Sequence, residues 1–96
     1  MIIKCLYNSY NLASQISRNA ADHVLEFNKK IEEVPKYSKD APARIMALYE
    51  QCRWYMIGLY EASHTMLFSI IVKVIDADRK RVETYIEELG KETDNG

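Results

Sequence analysis

Residues 3–34 read IKCLYNSYNLASQISRNAADHVLEFNKKIEEV, and this stretch decides the fold. Apolar or small residues recur at Ile3, Leu6, Tyr10, Ala13, Ser17, Ala20, Val24, Phe27, Ile31 and Val34, with spacings that alternate strictly between 3 and 4. That is a heptad seam, the period of a helix that packs along one stripe. Asn8, Asn11, Arg18, Asp22, Asn28 and Lys29 are left for the other faces. The small middle of the seam, Ala13-Ser17-Ala20, lets a neighbouring helix approach closely. Glu26 and Lys30 stand four apart with opposite charge, a modest helical support. Pro35 stops the helix, because it disfavours helical geometry at Val34 and has no amide hydrogen to donate. A single helix over 2–34 is expected.

Outward from this seam, Pro35 and Pro42 bracket a polar turn, residues 35–41. The chain then runs from Ala43 to Leu89 without proline and with one interior glycine, Gly58. Pro42 is compatible with a helix start, where first-turn amides lack an intrahelical acceptor. A second seam runs Ile45, Tyr49, Cys52, Met56, Leu59, Ser63, Met66 and Ile70, with Leu48, Tyr55, Ile57, Tyr60, Leu67, Ile71 and Val74 beside it. This apolar surface is wider than the ~100° stripe that one packing contact needs. The β-branched run MLFSIIVKVI (66–75) read alone suits a strand, yet no partner strand exists elsewhere. The pairs Asp76/Lys80 and Arg79/Glu83 carry helical spacing through it. The second segment is therefore read as a long helix over 41–89, kinked or split near Ser63–Thr65 or Asp76, with Gly90 as its C-terminal cap and a frayed tail over 91–96.

The expected fold class is all-α: one helical domain over 1–96, an antiparallel helical hairpin or three-helix bundle. At ~1.5 Å per residue the first helix spans roughly 48 Å and an unbroken second one roughly 74 Å. Either the second segment folds back as a third helix, or its end overhangs and packs on another chain. The overhang, completed by oligomerisation or a partner, accounts better for the wide apolar face.

The chain has 96 residues, 48% hydrophobic and 28% charged, enough apolar content for a core and too much for a disordered tail. So short a chain buries about 60–65% of its unfolded surface, which makes added burial by association natural. Thirteen basic and fourteen acidic residues leave a net charge of −1, against the basic excess of a nucleic-acid-binding module. Arg79-Lys80-Arg81 is flanked by Asp76, Asp78 and Glu83, which nearly cancel it. Cys5 and Cys52 lie forty-seven residues apart with no CxxC, so neither a disulfide scaffold nor a zinc module is expected. The first residues, MIIKCLYNSY, do not read as a signal peptide. In the apolar part of the second segment the longest stretch free of Asp, Glu, Lys and Arg is eleven residues, Ala62 to Val72, against the ~20 of a membrane span. A cytoplasmic protein with no membrane association is the expectation.

Two polar constellations stand out. Glu61-Ala-Ser-His64 places a carboxylate and an imidazole on adjacent positions of one face, the spacing used in di-iron bundles, which add a glutamate from each of two other helices. Glu26, Glu32 and Glu33 all lie off the first seam, so Glu61 and His64 remain candidate ligands without the rest of a metal set. Arg18-Asn-Ala-Ala-Asp-His23 is an R-x4-H step with a polar residue after the arginine, and it resembles the catalytic pair of HEPN-type ribonucleases. The resemblance implies an RNA-cleaving pair, Arg18 and His23, completed by a second copy. It departs from the family in position: there the motif opens a late helix of a four-helix unit, and here it falls in the first.

No phosphate-binding glycine loop or nucleophile elbow occurs, no cofactor is expected, and no small-molecule substrate is evident. The expected function is a non-enzymatic helical protein–protein interaction module, an oligomer or a small subunit of a larger assembly. Its candidate interface is the wide face of the second segment. Tyr49, Cys52, Met56, Leu59, Met66 and Ile70 come from the seam, and Trp54, Tyr55, Tyr60, Leu67 and Ile71 from beside it. Aromatics with a polar tip suit sites where one end is packed and the other wet.

Overall fold

The structure is a computed structural model, and it describes residues 3–63 and 68–95, with side chains over 3–61 and 68–91. Four α-helices and no strands occur among the described residues: α1 (Tyr7–Ile16), α2 (Arg18–Glu33), α3 (Ala41–Ser63) and α4 (Phe68–Asn95). The all-α class is as expected, and the count of helices is not.

The first segment is two helices rather than one over 2–34. Ser17 is extended, with φ −167° and ψ 158°, and its hydroxyl accepts from the Ala20 amide at 3.1 Å, so it caps α2. The chain reverses there. The amides of Cys5 and Leu6, just before α1, donate to the Asn28 side chain late in α2, both at 3.2 Å. In one straight helix those positions would be about 33 Å apart. The seam survives the break because each half turns its own stripe inward: Leu6, Ala13, Ala20, Val24, Ile31 and Val34 are all buried. Asn28, read as outward-facing, is buried as well, because its amide oxygen serves the start of α1. Val34 leaves α2 in extended geometry ahead of Pro35, as the proline requires.

The second segment folds back instead of overhanging. The Tyr49 hydroxyl donates to the Ile75 carbonyl at 2.7 Å, and Arg79 lies 3.9 Å from Glu50, so α4 runs antiparallel to α3. An unbroken helix over 41–89 would also exceed the longest molecular extent, 48 Å. α4 is continuous through Asp76 and runs on to Asn95. Gly90 is therefore a helix-interior residue and not a cap, and the helix reaches into the tail expected to fray.

α1 packs on both α2 and α4, α2 on α3, and α3 on α4, enclosing one core. Its centre is Leu6, Val24, Ile31, Ile45, Tyr49, Met56, Ile71, Ile75 and Val82, each at most 1% exposed. Much of the wide apolar face of the second segment is thus covered by the chain's own fold-back.

Candidate interaction surface

α1 begins without a cap of its own: Leu6 offers no side-chain acceptor and the first turn holds no acidic residue. A carboxylate from the far end of the chain takes that role. Asp78, on α4 and fully buried, accepts from the Asn8 amide and the Asn8 side-chain amide at 3.1 Å each, and from the Ser9 amide at 2.6 Å. A negative group at a helix N-terminus meets both the unpaired amides and the positive end of the helix dipole. Arg81 closes the outer side, its Nε 3.8 Å from Asp78 and its guanidinium 5.1 Å from the Tyr7 ring centroid. The Ser9 hydroxyl is buried in the same place, with no hydrogen-bond partner among the described residues.

Both thiols lie in the field of Asp78. Burial pushes the Cys5 thiol up to about 12, with the Glu32 and Asp78 carboxylates adding to the effect. Burial, then Asp78, pushes Cys52 up to about 12. A thiol so far from its thiolate form is a packing group and not a nucleophile. Tyr49 is raised as well, first by burial and then by Asp76, as suits a phenol that donates to a backbone carbonyl. This polar centre holds α1 in place.

The remaining sequence candidates scatter. Arg18 opens α2 and His23 follows five residues on, about 140° round the helix, so the two side chains do not converge. Both are exposed, and the His23 ring packs 4.9 Å from that of Tyr55. Glu61 is exposed, while His64 lies outside the described residues, as do Met66 and Leu67 of the candidate interface. Among the described residues no group of three His, Cys, Asp or Glu is placed to hold a metal ion.

Of the candidate interface residues, Tyr49, Cys52, Met56 and Ile71 are 0–2% exposed, so the structure withdraws them from any surface. Tyr55 is half-buried between α2 and α3, with the Phe27 ring at 6.0 Å besides that of His23, and burial raises its hydroxyl. Leu59 and Tyr60 are half-buried, and Tyr60 meets Phe68 edge-on at 6.3 Å.

Three large apolar side chains stay exposed near that part of the bundle: Trp54 at 66%, Phe68 at 48% and Ile70 at 40%. Trp54 lies about half a turn round α3 from the buried line of Ile45, Tyr49, Cys52 and Met56, facing fully outward. The Arg53 guanidinium lies 5.8 Å from its ring centroid. One turn on is Gly58, exposed, where an added Cβ would meet nothing within 4 Å. Sequence reasoning missed Phe68 as a surface residue, because in the second segment it lies beside the apolar stripe rather than on it.

No helix among the described residues is long and apolar enough to cross a membrane. Comparison with family models, with curated proteins and with solved structures gave no match.

Proposed function

We propose that the chain is a non-enzymatic helical interaction module that presents the outer face of α3 to a protein partner, either a second copy or a subunit of a larger assembly. The observation that carries this reading is Trp54, the single tryptophan, turned outward from a core already closed by the chain's own helices. Tryptophan and arginine dominate the energetics of protein interfaces, and here Arg53 and Trp54 stand in contact on one helix. Gly58 supports the reading. A glycine inside a helix costs roughly 1 kcal/mol relative to alanine, and among the described residues no contact requires its small size. A bare backbone one turn from an exposed indole leaves a flat strip on which another helix can lie close.

The test is association of the intact chain against its Trp54→Ala variant. The reading expects a light-scattering mass above 11.2 kDa at micromolar concentration, or a stoichiometric partner from cell extract. In either case Trp54→Ala and Gly58→Leu weaken the association. A mass of 11.2 kDa with no partner whose capture depends on Trp54 overturns it.

A further inference from the structure

A cleft of about 280 Å³ opens between the α2–α3 connection and the C-terminal half of α4, away from Trp54. Its floor is apolar: Ala41, Ile45 and Leu89 are buried and Ile86 is half-buried. Its rim is polar and exposed, with Lys36, Lys39 and Tyr37, the last 88% exposed. Among the described residues the charged ones that line it are both lysines, and since Lys36 is already engaged, Lys39 is the ammonium that can meet a ligand. The nearby Asp40 carboxylate is not in the lining and accepts from the Ser38 hydroxyl. The first turn of α3 forms part of the wall, so the positive end of a 23-residue helix adds to the Lys39 charge.

The last wall residue is Gly90. It is helical, exposed, and flanked by open space: an added Cβ would meet nothing within 4 Å. Among the described residues neither backbone geometry nor packing calls for glycine here, and glycine weakens the helix that carries it. Its bare backbone leaves this edge of the cleft without a side chain.

We propose that this cleft is a binding site for a small amphipathic anion, with a single anionic head at Lys39 and a short alkyl or single-ring body on the floor of Ile45, Ile86 and Leu89. The size sets the class. The cleft lies at the small end of ligand sites, which run from roughly 300 Å³ upward, so it takes a fatty-acid-sized or one-ring ligand and not a dinucleotide. Lysine ammonium groups act as point charges, and Lys39 stands on the loop where it can meet a head group as the body descends to the floor.

The test is a titration of the full chain with octanoate, followed by amide chemical shifts, with octan-1-ol as the uncharged probe of the same body. The proposal expects saturable shifts clustered at residues 37–42 and 86–90. It also expects octan-1-ol to bind at least about tenfold more weakly, a difference of ~1.4 kcal/mol. Lys39→Gln reduces octanoate affinity and leaves octan-1-ol unchanged. Gly90→Leu fills the cleft and abolishes binding, while the melting temperature stays equal or rises because leucine favours helix. Retention of octanoate affinity by a folded Gly90→Leu protein overturns the proposal, as does equal binding of the two probes. Trp54→Ala leaves this titration unchanged, so its outcome is independent of the interaction reading.

Discussion

Replacing Asp78 by alanine removes the acceptor on which the start of α1 depends. The carboxylate is fully buried and takes three donors, the amides of Asn8 and Ser9 and the Asn8 side chain. The Asn8 side chain is half-buried and can turn to water, so the loss is counted on the two backbone amides. A buried donor left unpaired costs ~1–3 kcal/mol, which puts Asp78→Ala at about 2–6 kcal/mol. A chain of this length has a total stability of roughly 5–14 kcal/mol, so the variant sits near the limit of folding. Asp78→Asn keeps one acceptor oxygen but turns an amide donor toward the helix start, and should fall between wild type and alanine. The assay is equilibrium urea unfolding, with hydrogen exchange at Asn8, Ser9 and Tyr10 read alongside. Exchange in α1 should accelerate beyond the global change, because α1 loses its anchor specifically. Raising the salt to ~1 M, where the screening length is about 3 Å, should leave the wild-type stability contribution in place, since the pair is dry. Asp78→Ala within about 0.5 kcal/mol of wild type, or unchanged exchange in α1, would refute the role of Asp78 as a tertiary cap.

Beside it, Ser9→Ala should be neutral or stabilising by up to ~1 kcal/mol in the same assay, since the Ser9 hydroxyl is buried without a partner among the described residues; a clear loss would show that it has one. Ala13→Leu and Ala20→Leu should each overpack the contact beside the Ser17 break and cost about 1–3 kcal/mol, and a neutral result at both would mean that this region is loosely packed. The thiols impose an alkaline limit. Their folded values lie near 12 against an ordinary 9.0, so the neutral forms favour folding. The stability they contribute is complete below pH 9 and is lost as pH rises from there toward 12, with the raised Tyr49 acting in the same direction. Urea midpoints that fall above pH 9 in wild type, and fall less in Cys52→Ala, would bear this out; identical pH profiles would count against it.

The all-α class was legible because apolar spacing reports helix period whatever the tertiary path. Burial along the first seam was legible for the same reason. The chain reversal was not: a seam keeps its spacing whether the helix is straight or broken at one residue, and Ser17 occupied a seam position where its small size passed for close packing. Its capping chemistry was the available signal. Asp78 was taken for part of a self-cancelling charge cluster, yet Ile71, Ile75, Asp78 and Val82 are spaced 4, 3 and 4, which puts a carboxylate in a buried stripe. A charge at such a position demands a buried donor set, and the uncapped start of α1 provides it. The wide face of the second segment was read as too much surface for one chain to cover. It is mostly covered once α4 folds back, and among the described residues its large apolar side chains that stay exposed are Trp54, Phe68 and Ile70. The lysine-rimmed cleft has no local signature, because its two walls, residues 36–45 and 86–90, lie more than forty positions apart.

The most direct measurement is site-specific photo-crosslinking in the cell that makes the protein, with a benzophenone side chain in place of Trp54 and, as control, of the exposed Glu83 on α4. A module that works through the outer face of α3 should yield a discrete crosslinked species from position 54 that is absent from position 83 and lost when Gly58→Leu is added. Equal or absent crosslinking from the two positions would contradict the interaction reading.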